Sequence, residues 1–209
     1  MDDLTNIIDK SLKDKLNKNL PKFNSIFENN NELITSKLNT KYNGRIFKHS
    51  EIFLILKKIN DRYHIILTVR SNEMPSHAGQ ISFPGGKVDL KDKTITDTAI
   101  REAGEEIGIK NHELEIMGYL DICMTGTDYL IAPVIALSND KFEPIIDKRE
   151  VSSIFTIPLS FINNTNNLEL HAKVFKGVKR EFFVYNYMDY VIWGATARIL
   201  KDFNEKVLT

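Results

Sequence analysis

The chain has 209 residues, 42% of them hydrophobic, and its 28 basic side chains balance 28 acidic ones. That length suits one domain with an extension and a proper core, and zero formal charge without a like-charged block gives no bulk attraction to nucleic acid. No apolar run is long enough to cross a membrane as a helix, and the single cysteine, Cys123, excludes an internal disulfide and points to a reducing compartment.

Met1-Asp2-Asp3 lacks the basic-then-apolar pattern of a signal peptide, and Lys206-Val207-Leu208-Thr209 is not a peroxisomal tripeptide, so the cytoplasm is the expected location. Residues 2–20 predict a helix, with Leu4, Ile7, Ile8, Leu12, Leu16 and Leu20 at helical spacing. A second helix is expected from Asn24 to Leu38, around a break at Asn29-Asn30-Asn31. These helices form an extension, residues 1–43, expected to pack on the domain of residues 44–209 or on another subunit, which leaves a homodimer open. Glu51–Lys58 and His64–Val69 read as strands joined by a turn at Asn60-Asp61. Helix 94–107 follows, then a strand around Glu113–Ile122. Leu130–Leu137 is an apolar run whose Pro133 suggests an irregular start or an edge position. Val151–Phe161 leads into a short helical segment, Asn163–Asn167 is a polar loop, and Glu181–Tyr187 is a strand. Ile192–Phe203 reads as a closing helix with Trp193 as a core anchor. Strands and helices mixed in this order fit an α+β fold.

The chemistry concentrates between Gly86 and Ile109, GKVDLKDKTITDTAIREAGEEIGI. Glu102, Glu105 and Glu106 fall at i, i+3 and i+4, on one helical face, where together they are able to hold a divalent metal against a diphosphate. Ile95, Ala99, Ala103 and Ile107 form the neighbouring core stripe, which puts Glu106 closest to the buried face. Thr94-x-x-Asp97 is a capping-box pattern and Gly108 a natural stop. Acids in the last turn oppose the helix dipole by ~0.3–1 kcal/mol each, a sign that a cation reverses. The i, i+4 pairs Asp97–Arg101, Arg101–Glu105 and Glu106–Lys110 also answer these charges, so the helix alone supports a salt-bridged surface equally well. Phe83-Pro84-Gly85-Gly86 tips the balance: this expected turn stands just before the acidic helix, where backbone carbonyls, Gly85 foremost, are available to a metal.

At these residues the chain resembles the Nudix hydrolases, whose signature is G-x5-E-x7-R-E-U-x-E-E-x-G-U, with U a bulky apolar residue. Arg101 to Ile109 matches apart from the small Ala103 at the first U. Asp92 stands where the first glutamate is expected, with one extra residue before Arg101. Upstream, Leu67-Thr68-Val69-Arg70-Ser71 and Ser76-His77-Ala78-Gly79-Gln80-Ile81-Ser82-Phe83-Pro84-Gly85-Gly86 are similar to the extra signature of the coenzyme A diphosphatase branch. Asp89 and Asp92 fit that branch's GG-x-x-D-x-x-D spacing, and Ile192-Trp193-Gly194-Ala195-Thr196-Ala197 resembles a stretch near its end. Met74-Pro75 falls where the branch usually carries an arginine. The resemblance spans roughly residues 45–205.

The resemblance implies a Nudix-type α/β/α sandwich with a mixed β-sheet, and Mg²⁺- or Mn²⁺-dependent hydrolysis of a diphosphate in a small-molecule substrate. Coenzyme A or acyl-CoA is the leading substrate; ADP-ribose, nucleotide sugars and damaged nucleotides are the alternative, and a silent nucleotide-binding module is a third reading. Glu102, Glu105 and Glu106, with the Gly85 carbonyl, are the expected metal ligands. Glu102 and Glu105 share the candidacy for general base, with an acid in a loop outside the motif as the further alternative. Arg101 is expected to brace the acids, through Asp92. Arg70, His77 and Lys87 are the candidates for substrate contact. Asp128, in the Thr125–Tyr129 loop, reads as a turn residue ahead of an extra acid.

Overall fold

A 15-residue strand organises the molecule. In the computed structural model, which describes residues 3–23, 34–36, 38–175 and 177–209, this strand is β3 (Arg45–Ile59). Before it come α1 (Asp3–Lys15), β1 (Ile34–Thr35) and β2 (Asn39–Tyr42). After it come β4 (Arg62–Arg70), β5 (Ile81–Ser82), β6 (Gly85–Lys87), α2 (Ile95–Ile107), β7 (Leu114–Tyr119), β8 (Cys123–Met124) and β9 (Tyr129–Ser138). The chain closes with β10 (Val151–Pro158), α3 (Leu159–Asn163), β11 (Leu168–Phe175), β12 (Val178–Tyr187), β13 (Tyr190–Trp193) and α4 (Ala195–Phe203).

Because side chains alternate across a strand, β3 sorts two cores. Ile52, Leu54 and Leu56 point into one cluster with Ile65 and Leu67 of β4, Leu12 of α1, and Leu200 and Phe203 of α4. Phe53 and Ile55 point the other way, with Ile66, Val134 and Ala136, against Ala99, Ala103 and Ile107 of α2. The result is a sheet between helical layers. That sheet is mixed: β3 runs parallel to β9 from Lys48↔Tyr129 to Leu56↔Leu137, while its other pairings are antiparallel. The β3–β4 hairpin turns on Asn60 and Asp61, both at positive φ (49° and 60°), the backbone a two-residue primed turn requires. A separate antiparallel sheet joins β11, β12 and β13.

Several expectations are corrected. The second N-terminal helix falls mostly outside the described residues, and where the chain is described Ile34–Thr35 is strand, paired with β2. The strand carrying Pro133 is not an edge: β9 lies between β3 and the β7/β8 side. Proline is tolerated because its carbonyl, which accepts from Leu120 N–H at 3.2 Å, faces the gap between β7 and β8, where no ladder donor is needed. Phe83–Gly86 is less a turn than a bend leading into β6, whose Gly85 and Gly86 pair with Ile52 and Glu51. The closing helix begins at Ala195, and Tyr190–Trp193 is strand; Gly194 at φ 68° separates them. Trp193 is 46% exposed and stands edge-on to Phe182 rather than in the core.

The first helix stops at Lys15, and Leu20 beyond it is exposed. Ile8, Leu12 and Leu16 nonetheless pack into the same cluster as α4. Asn17 exchanges both backbone hydrogen bonds with Tyr119 (3.0 and 2.9 Å), and Tyr63 donates to Asp9 at 2.6 Å. Lys206 Nζ reaches Asn17 and Asp121 at 3.2 and 3.1 Å, which ties the C-terminal turns to the same place. No helix among the described residues is long and apolar enough to cross a membrane.

Candidate active site

The acidic helix is built as its local sequence dictates. Thr94 Oγ1 accepts from Asp97 N–H at 3.1 Å while Asp97 accepts from Thr94 N–H at 2.8 Å, a reciprocal box that satisfies two end donors. Gly108, at φ 75°, closes the other end by donating to Gly104 O. Small Ala99 and Ala103 let α2 lie close to the sheet. Glu106 consequently drops into the interior, only 2% exposed, while Glu105 stays half exposed and Glu102 lies between the two.

Each acid meets a different environment. Glu106 Oε2 accepts from Gly85 N–H at 3.1 Å and Oε1 lies 3.6 Å from the Arg70 guanidinium. Burial still outweighs both partners and pushes its pKa up to about 7. Glu102 is also raised by burial, against the pull of Arg101, whose Nη1 donates to it at 2.7 Å. Arg101 grips Asp92 with two bonds, 3.0 and 2.9 Å, and donates to Lys87 O at 3.2 Å. Asp92 accepts further from Thr98 Oγ1 at 2.8 Å and Asp89 N–H at 3.0 Å. The Arg101 bonds hold its carboxyl well below the usual range. This fork locks the loop between β6 and α2 onto the helix.

Glu51 has no counterpart in the sequence reading. It lies on β3, directly opposite Gly86 of β6, so its side chain leaves the sheet on the same face as the Cβ position of Gly86. A methyl built there would stand 2.1 Å from Glu102 Oε2, so that face looks straight at the α2 acids. Glu51 is fully buried, and neither of its carboxylate oxygens has a hydrogen-bond partner. Burial, then the charges of Asp92 and Glu102, pushes its pKa up to about 9, with Arg101 opposing. The sequence carried a faint trace of it: Glu51 is in phase with Phe53 and Ile55, an acid on an inward strand face. A second unforeseen acid is Glu150, whose charge reaches Glu102 and Glu106.

Among the residues expected at the site, Arg101, Glu102, Glu105, Glu106, Gly85 and Arg70 are brought together. Arg70 ends β4 beside Glu106. Lys87 joins only through its backbone carbonyl, its side chain being exposed. His77 sits in an exposed turn at φ 59°, bonded to Gln80 at 2.9 Å. Asp128 is likewise at positive φ and pairs with Arg45, a turn residue rather than an added acid.

Among the described residues no three acidic, histidine or cysteine side chains close on one point at ligating distance. The donor set nevertheless suits a hard divalent cation. Five carboxylates, Glu51, Asp92, Glu102, Glu105 and Glu106, face two guanidinium groups, and the Glu51 oxygens are orphaned inside. Oxygen donors of this kind match Mg²⁺ or Mn²⁺ and not a soft metal.

Comparison with known proteins accords with this geometry. The NUDIX domain model matches residues 48–177. An uncharacterized Nudix hydrolase NudL of Photorhabdus laumondii is 34% identical over 143 residues, covering 68% of this chain and 76% of that protein. The NudL of Yersinia pestis, also named as uncharacterized, is 30% identical over 146 residues, 68% and 72% of the two chains. A MutT/nudix family protein from Enterococcus faecalis shares the fold with a TM-score of 0.50 and 14% identity, over 79% of this chain and 63% of that one. Members of the family generally hydrolyse nucleoside diphosphate derivatives with the help of divalent metal ions. The acids on α2 thus stand on a helix packed against a mixed sheet of the kind that family uses, and the chain belongs to the Nudix hydrolases.

Proposed function

We propose that this enzyme hydrolyses the diphosphate bond of coenzyme A or its acyl derivatives, giving (acyl-)4′-phosphopantetheine and adenosine 3′,5′-bisphosphate. The observation that carries this reading is the continuity of the Ser76–Gly86 signature with the acidic helix. The signature's loop is pinned to both sides of Arg70, through Arg70 N–H to Gln80 O (2.9 Å) and Gly79 N–H to Arg70 O (3.1 Å). Arg70 in turn lies against Glu106. A loop that shapes substrate choice is thereby coupled to the acids that do the chemistry.

Glu102, Glu105 and Glu106, with the Gly85 carbonyl, are the residues to hold a Mg²⁺ or Mn²⁺ ion, which when bound neutralises diphosphate charge and acidifies water. Arg101 keeps Glu102 in place and is a positioning residue. The proton of the attacking water goes to Glu102 or Glu105. Arg70 supplies positive charge for the substrate phosphates in a chain that has Pro75 where an arginine is usual. That substitution favours a second reading, a hydrolase for ADP-ribose or nucleotide sugars.

A screen of coenzyme A, ADP-ribose and nucleoside triphosphates with Mg²⁺ or Mn²⁺, products identified by mass, separates the readings. Release of both coenzyme A products is expected, with loss of turnover by ~10²-fold or more in Glu106→Gln and unchanged melting of the fold. Turnover of ADP-ribose alone would transfer the assignment to the second reading, and binding without turnover of any substrate would make the chain a nucleotide-binding module.

A further inference from the structure

We propose that Glu51 is an additional ligand for the divalent cation, supplied by strand β3 from outside the helical motif. The inference rests on the metal-dependent reading of the α2 acids and extends it to a residue that no motif position specifies. Three observations converge on it. Glu51 is wholly buried, both of its oxygens lack a partner, and its register against Gly86 aims it at the face where the Glu102 carboxylate lies.

The protein's own groups do not complete this side chain. The charges that act on it most strongly are the carboxylates of Asp92 and Glu102, which repel it. Arg101, the positive group in reach, already spends its donors on Asp92, Glu102 and Lys87 O. A neutral carboxyl would do little better, because its O–H would need an acceptor and its carbonyl a donor. Burying such a group without partners is costly, and a strand position followed on the same face by Phe53 and Ile55 would be filled more cheaply by an apolar side chain. A hard cation shared with the α2 glutamates satisfies both oxygens at once and removes the repulsion. It also fits the bare Cα of Gly86, over which the Glu102 carboxylate lies on the face that Glu51 shares.

The test uses the full chain and Mn²⁺ alone, followed by titration calorimetry and by electron paramagnetic resonance of free Mn²⁺. Glu51→Gln is expected to weaken Mn²⁺ binding at least tenfold, or to remove one ion per chain. Its metal-free melting temperature is expected to equal or exceed that of the wild type, since a buried repulsive acid is replaced by a neutral amide of the same shape. With saturating Mn²⁺ the order reverses, because the wild type gains more from the ion. Glu51→Asp keeps the charge with a shorter reach and is expected to recover part of the affinity, a rescue that space-filling would not produce. Equal Mn²⁺ affinity and stoichiometry in wild type and Glu51→Gln, with binding weakened in Glu106→Gln, would overturn the role of Glu51 and leave the α2 site standing. Absence of Mn²⁺ binding by the wild type would overturn both.

Discussion

Two neighbouring glycines should fail in opposite ways when given a methyl group. At Gly86, an added Cβ would come 2.1 Å from Glu102 Oε2 and 2.3 Å from its Cδ. These atoms are the free end of a flexible side chain, so the fold yields by moving Glu102 about 1 Å or more, and stability falls by less than ~1 kcal/mol. That displacement breaks the 2.7 Å bond from Arg101 and misplaces a carboxylate proposed to hold the metal. A shift of this size costs on the order of 100-fold in kcat, or ~2.7 kcal/mol of barrier. At Gly85, by contrast, the methyl meets backbone: Glu51 O at 2.4 Å and the Ile52 Cα at 2.7 Å, from a φ of 143° that side-chain-bearing residues avoid. Nothing there can swing aside, and Gly85→Ala should lose on the order of 3–5 kcal/mol as β6 is pushed off β3. Urea midpoints and steady-state kinetics on the two purified variants separate the effects. If Gly86→Ala turns over at the wild-type rate, the placement of Glu102 beneath that glycine is irrelevant to catalysis. If Gly85→Ala melts with the wild type, the close contact between β6 and β3 is not what holds the strands together.

Two further outcomes follow from the packing and the electrostatics. Leu12→Ala removes a fully buried side chain from the cluster shared with α4, and should cost ~2–5 kcal/mol in urea unfolding; a loss below ~1 kcal/mol would mean that α1 does not contribute to the core. Asp92, held by Arg101 below its ordinary value of 3.8, contributes stability that is present above about pH 4 and lost as pH falls through its lower folded-state value, so Asp92→Asn should flatten the acid limb of the melting curve below that pH; an identical limb in both proteins would refute the pairing.

The parts of this molecule that could be read from the chain are those whose signals are local. Helix α2 announces itself through a cap, a four-residue apolar stripe and a terminal glycine, and the β3–β4 hairpin through Asn60-Asp61. The acids on α2 were visible for the same reason, since their spacing along one helix decides their common face. Strand β11 carried an equally local mark, with Leu168, Leu170, Ala172 and Val174 alternating against Glu169, His171 and Lys173, a period of two that went unread. The predicted closing helix, Ile192–Phe203, takes in Ile192 and Trp193, although with Tyr190 and Val191 these aromatic and β-branched residues favour a strand and Gly194 interrupts the run. Glu51 is a different case. Its meaning depends on register with Gly86, a pairing between distant segments that no short window encodes. His77 shows the converse: motif membership did not bring its side chain to the acids, because the turn that holds it faces solvent.

The clasp between α1 and the C-terminal turns has a practical corollary for anyone preparing this protein. The stretch that the NUDIX domain model matches, residues 48–177, excludes both Leu12 and Phe203, which plug one side of the sheet. Recombinant fragments trimmed to that stretch would shed the two plugs together and leave a greasy trough along Leu54 and Leu56 open to water. Precipitation during expression, rather than a missing catalytic group, would be the fault such a fragment displays.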